Sequence, residues 1–142
     1  HDKAIIAEVQ SVTTDIHALD KDEALQTGML EYLGSDMDDD YVEATKAVSV
    51  RPDLLRQKGS SVTVVYTPLH GTGAMMVERI LGELGVKVIT VPEQREPDGN
   101  FPTVKFPNPE EASAMEMAVE LGRKEGADLV MGTDPDAEGE KA

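Results

Sequence analysis

From residue 61 onward, short β-branched runs alternate with segments of helical spacing, and no other feature restricts the fold of this chain as much. Val62-Thr63-Val64-Val65-Tyr66 is almost continuously apolar, as a strand covered on both faces should be. A loop follows, Thr67-Pro68-Leu69-His70-Gly71-Thr72-Gly73. Val77, Ile80, Leu81 and Leu84 then recur at i, i+3, i+4 and i+7, which predicts an amphipathic helix, and Gly85 is placed to stop it in a left-handed conformation. Val86 to Val91 is the next strand. Pro92 to Pro107 is a long connection rich in Pro, Gly, Asp and Asn. Asn108-Pro109-Glu110-Glu111 predicts a helix start, with Met115, Ala118, Val119 and Gly122 as its buried stripe and Gly126 as its end. Asp128 to Gly132 is a third strand, and the last ten residues are expected to be acidic loop. Strand, helix, strand, helix, strand implies an α/β domain: a parallel sheet flanked by helices, with right-handed crossovers.

The first third reads as helical. Ile5, Val9 and Val12 form one apolar stripe, and Asp20 precedes Glu23 in the pattern of a helix start. Gly28 and Gly34 break the chain. Ser35 to Asp40 is expected to be an acidic turn, followed by a helix from about Asp39 to Val48 with Tyr41, Thr45 and Val48 on one face and Pro52 marking its end. The chain has 142 residues, enough for one domain burying roughly 70% of its unfolded surface.

Charge excludes several functions. The formal net charge is −15, from 28 acidic and 13 basic residues. Such a surface repels nucleic acid and anionic lipid, so neither nucleic acid nor a membrane is expected as a partner. There is no cysteine, hence no disulfide and no thiolate chemistry. No apolar run approaches the ~18 residues of a membrane span. No signal peptide is visible, and the expected localisation is cytoplasmic. The opening residue is His rather than Met, which suggests an excised segment.

In a parallel sheet, the loops after Tyr66, Val91 and Gly132 must leave at one edge, where α/β proteins bind ligands. His70, the Glu93 to Asn100 segment and Asp134 should then share that side. The sharpest chemical signal is Thr133-Asp134-Pro135-Asp136-Ala137-Glu138, three carboxylates at i, i+2 and i+4 directly after a buried strand. Carboxylates brought together repel one another unless a cation lies between them, and hard oxygen donors favour Mg²⁺ or Ca²⁺. The competing reading is a solvated acidic tail. A calcium loop is half-matched by Asp134, Asp136, Glu138 and Gly139, but its twelfth-position Glu is missing. The loop from Pro68 to Gly73 could offer backbone amides to an anion, although a tight turn that needs two glycines is the more common reason for such a loop. His70 is a candidate cleft-lining acid, base or ligand; a lone loop histidine is more often a structural hydrogen-bonder. Arg95 and Lys105 are the basic residues nearest the site, and the Asp36 to Asp40 run reads as a solvated helix start.

Four segments occurring in order carry a resemblance: Tyr66-Thr67-Pro68-Leu69-His70-Gly71-Thr72-Gly73, Glu96-Pro97-Asp98-Gly99-Asn100-Phe101-Pro102, Pro107-Asn108-Pro109-Glu110, and Gly132-Thr133-Asp134-Pro135-Asp136-Ala137. The succession resembles the second domain of the α-D-phosphohexomutases, the phosphoglucomutase/phosphomannomutase family, and most of all its phosphopentomutase-like and bisphosphate-forming branch. The resemblance implies a three-layer α/β/α fold with a mostly parallel sheet of about four strands. It implies residues 1–34 as a helical tail from the preceding domain, and residues 35–142 as the second α/β domain, truncated after the metal loop. It also implies an isomerase that moves a phosphoryl group between the 1-position and the 6- or 5-position of a sugar phosphate, through a phosphoserine on another domain. Partners would be the sugar phosphate and the other domains of the parent chain; the cofactor would be Mg²⁺. By position, Asp134 and Asp136 match the first two metal ligands. Glu138 stands where the family has Asp, and Gly139 where it has Arg. The serine loop, the sugar-specificity loop and the phosphate clamp have no counterpart here, so the isolated chain is expected to be inactive.

Two other functions fit parts of the pattern. One is a non-catalytic metal-binding or regulatory module that kept the mutase fold, which the Glu138-Gly139 departure favours. The other is a phosphatase with an Asp-x-Asp motif, which would need that motif after the first strand instead of the last.

Overall fold

The computed structural model describes residues 2–13, 18–138 and 140–141. His1, Thr14 to His17, Gly139 and Ala142, including the Gly139 departure noted above, lie outside the described residues. The chain divides into two compact units, His1–Ser35 and Asp36–Ala142.

The first unit holds α1 (Asp2–Ser11) and α2 (Lys21–Gln26). Asp20 caps α2 as its spacing predicted: its carboxylate accepts from the amides of Asp22 and Glu23, satisfying donors that a helix start leaves open. The apolar stripe of α1 is present, but Ile5 and Val9 are exposed, and neither helix buries a residue.

In the second unit, α3 (Ser35–Ala47) begins four residues earlier than its spacing suggested. The run expected to be an acidic turn is its N-terminal end, where Asp36 and Asp38 face the positive end of the helix dipole. The buried residue of α3 is Val42, whereas Tyr41 and Val48 are 55% and 77% exposed. Pro52 does not close that helix. It opens α4 (Pro52–Lys58), occupying a first-turn position where its missing N–H costs nothing.

The sheet is built from β1 (Thr63–Thr67), β2 (Lys87–Thr90) and β3 (Leu129–Thr133), parallel and in the order β2-β1-β3. Val65 of β1 pairs with Ile89 on one side and Val130 on the other. A two-residue β4 (Glu140–Lys141) lies antiparallel to β3, within a tail expected to be loop throughout. Three parallel strands with this short addition make the mostly parallel sheet that was anticipated.

Helices cover both faces. On one, α7 (Ala112–Glu125) sets Met115 and Ala118 against Val65 and Val91, with Ile89, Val119, Leu121 and Val130 around them. On the other, α3 and α5 (Ala74–Glu83) flank a groove floored by Met131 and Thr133. Gly85 and Gly126, at φ +88° and +64°, take the left-handed conformations expected of helix stops. The start of α7 differs from expectation: Asn108 Oδ1 accepts from the Glu110 amide at 2.8 Å, a side-chain turn that begins four residues ahead of the helix instead of its cap. Within the long connection after β2 lies one further turn of helix, α6 (Pro92–Arg95).

Candidate functional site at the carboxyl edge of the sheet

The loops after β1, β2 and β3 meet at one edge, as the parallel topology requires, and hydrogen bonds join them. In the first loop, Leu69 and His70 both adopt left-handed backbone, φ 48° and 62°, which L side chains seldom accept. Support for this turn comes from several directions. The Leu69 amide donates to Thr67 Oγ1 at 3.1 Å, and the Gly71 amide to Pro68 O at 2.8 Å. The second loop grips the same turn: the His70 amide donates to Gln94 O at 2.9 Å, and His70 O accepts from the Asp98 amide at 3.0 Å.

The third loop, which carries the acidic residues, is bound to the first. Thr72 donates to Pro135 O from its amide at 2.9 Å and from its hydroxyl at 3.2 Å. Gly71 lies so close that a Cβ there would collide with the Pro135 backbone at Cα, carbonyl carbon and oxygen. Glycine is required here by proximity, not by φ. Beneath the loop, Tyr66 Oη and Thr133 Oγ1 share a buried hydrogen bond of 2.8 Å. Burial raises the Tyr66 pKa against the opposing effect of that bond.

Asp134 and Asp136 line a cleft of about 560 Å³ together with Thr72, Phe106 and Asn108. Glu138 is exposed and is not part of that lining. Among the described residues, no three His, Asp or Glu side chains are gathered in a group that could hold a metal ion. The donor chemistry nevertheless suits a hard dication: all three groups are carboxylates, and two of them share one cleft wall.

His70 does not line this cleft. It is 5% exposed, and its Nε2 lies 2.8 Å from Thr103 Oγ1. Arg95 is occupied elsewhere, gripping Glu78 of α5 with Nε and Nη2 at 2.9 Å each and Glu96 with Nη1 at 2.6 Å. Lys105 is exposed and outside the cleft lining. The Asp98 carboxylate accepts from the amide and side chain of Asn100, and these bonds hold its pKa below the usual value. Reading the sequence missed Gln94 and Thr72. Gln94 is fully buried, accepting from the Thr67 hydroxyl at 2.7 Å. A glutamine between Glu93 and Arg95 gives no periodic sign of burial, but Thr72, between two loop glycines, sits where a backbone-holding hydroxyl is common.

Residues 39–139 match the family described as phosphoglucomutase/phosphomannomutase, alpha/beta/alpha domain II. The chain is 38% identical over 122 residues to a phosphoribomutase of Saccharomyces cerevisiae, covering 81% of this chain and 20% of that protein. It is 35% identical over 115 residues to a phosphoglucomutase of Staphylococcus saprophyticus, covering 80% of this chain and 20% of that one. It is 40% identical over 100 residues to the human glucose 1,6-bisphosphate synthase, covering 69% of this chain and 16% of the synthase. The chain thus spans about a fifth of the length of these relatives. No solved structure matches it.

Proposed function

Because this chain belongs to the phosphoglucomutase/phosphomannomutase family of α-D-phosphohexomutases, we propose that residues 35–142 serve as the metal-carrying second domain of a phosphosugar mutase. In this reading, residues 1–34 are the helical end of a preceding domain. The parent enzyme would be a cytoplasmic isomerase that shifts phosphate between the 1-position and the 6- or 5-position of a sugar phosphate, and the chain by itself would be inactive. Its relatives act, by name, on different sugars, so the substrate class is a hexose or pentose phosphate.

Asp134, Asp136 and Glu138 would hold Mg²⁺. The chemistry such a cation supplies is compensation of negative charge during phosphoryl transfer. The chain's own residues supply position. Tyr66 and Thr133 anchor the end of β3 below the loop, and Thr72 fixes Pro135 between the two aspartates. The observation that carries the reading is that Asp134 and Asp136 face one cleft on a loop held by Thr72. The strong negative charge agrees with a domain that leaves recognition of an anionic substrate to basic groups elsewhere.

The test is a Mg²⁺ titration of the purified chain followed by amide spectra. Resonances from Asp134 to Glu138 should shift, and Asp134→Asn should abolish the response. Neither glucose 1-phosphate nor ribose 1-phosphate should be turned over by the chain alone. Sustained turnover by these residues would sink the proposal.

The exposed Glu138, apart from the other two carboxylates, favours a second reading: a non-catalytic metal-binding or regulatory module with the mutase fold. A parent chain that carries a phosphorylatable serine loop upstream and turns over sugar phosphate with Mg²⁺ decides for the enzyme.

A further inference from the structure

His70 is a buried side chain that the proposed metal site does not use, and its ring belongs to a connected set of hydrogen bonds. Thr67 Oγ1 accepts from the Leu69 amide, and the Thr67 hydroxyl donates to Gln94 Oε1 at 2.7 Å. That fixes the orientation of the Gln94 amide, whose Nε2 then donates to Thr103 Oγ1 at 2.9 Å. The same Thr103 hydroxyl is hydrogen-bonded at 2.8 Å to the ring nitrogen His70 Nε2. Among the described residues, no buried side-chain nitrogen or oxygen is left without a partner.

This chain of bonds braces one side of the turn in which Leu69 and His70 hold positive φ. The other side of the same turn leads directly into Gly71, which abuts Pro135, and Thr72, which donates twice to Pro135 O. Two consecutive left-handed non-glycine residues persist only where their surroundings over-determine them. The bracing from Gln94 and Thr103 adds to the backbone bonds from Gln94 and Asp98 that hold them here.

We propose that His70, through Thr103 and Gln94, is a positioning residue for the acidic loop: it holds the turn that seats Thr72, and Thr72 fixes Pro135 between Asp134 and Asp136. The imidazole acts only by holding Thr103 in place. It neither lines the cleft nor exchanges a proton with a ligand. The part concerning metal rests on the reading given under Proposed function; the part concerning the loop does not.

Thr103 is exposed, so Thr103→Val removes the hydroxyl without opening the core. In the full 142-residue chain, this variant should speed exchange of the Thr72 amide about tenfold or more, while amides of β1 and β3 keep their protection. Thr103→Ser, which retains the hydroxyl, should restore the Thr72 amide to within about twofold of the unaltered chain. Unchanged Thr72 protection in Thr103→Val overturns the proposal. A Mg²⁺ titration of the same samples separates the two readings. If the unaltered chain takes up no Mg²⁺ while Thr72 responds as stated, the metal reading falls and the positioning role stands. If Mg²⁺ binds equally to both variants and Thr72 does not respond, the positioning role falls alone.

Discussion

Gly71 shows how little room one position can leave. Its α-carbon sits against the Pro135 backbone, and a methyl group there would meet main-chain atoms, which cannot rotate aside as a side chain could. Gly71→Ala should therefore cost about 1–3 kcal/mol, the usual range for overpacking against a fixed wall. Denaturant unfolding should show a lower midpoint at an unchanged slope. An unchanged midpoint would mean that the two loops are not in contact in solution. Thr72 and Gln94 are the residues whose importance depends on this geometry; Gln94 gave no sign of it in the sequence, and Thr72 only its place between two loop glycines. Asp134 and Asp136 did, because alternating carboxylates after a buried strand are chemically conspicuous. Glu138 shares their spacing but not their cleft, since spacing along a chain does not determine how a turn containing Pro135 and a left-handed Ala137 directs each side chain.

At the scale of elements, the features legible in advance were those with a local cause. Gly85 and Gly126 stop helices because a left-handed residue is needed there, and Asp20 caps α2 because its carboxylate reaches two open amides. The strands were recognisable as short apolar runs, β-branched in β1 and β2. What failed to show locally was set by neighbours. Pro52 suits a helix start as well as a helix end, so α4 went unseen. Asn108 has the chemistry of a cap but spends it on a turn. Val42, not Tyr41, is the buried residue of α3, because the direction that helix faces is fixed by what it packs against.

Between elements, Glu78 links α5 to Thr90 of β2 and to Arg95 of α6. Burial pushes its pKa up, but hydrogen bonds from Arg95 and Thr90 prevail, and the folded value lies below the ordinary one. A carboxylate depressed on folding stabilises the native state above its unfolded pKa, ~4.3 for Glu, and that stability fades as pH falls through the folded value. Glu78→Gln should therefore be less stable than the unaltered chain at pH 7, with the gap closing on the acid limb below about pH 5. Unfolding free energies measured across that range check it; a gap independent of pH would refute the assignment.

For the whole molecule, the dominant quantity is charge. At −15, the folded state repels itself, and the ion pairs on its surface, such as Lys46 with Glu43 and Glu83, or Arg79 with Asp39 and Glu83, offset only part of this. Raising ionic strength from about 10 mM to about 150 mM shortens the screening length from roughly 30 Å to roughly 8 Å. The thermal midpoint should rise as a result. A fall would show that attractive pairs, not net repulsion, govern the electrostatics.

The bonds between the first and third loops also bear on how a ligand could enter. A segment tied by two donors to one carbonyl, and backed by a position that admits no side chain, has no hinge of its own and cannot behave as a lid. Any gate over the cleft must then come from outside these two loops and swing across a stationary floor.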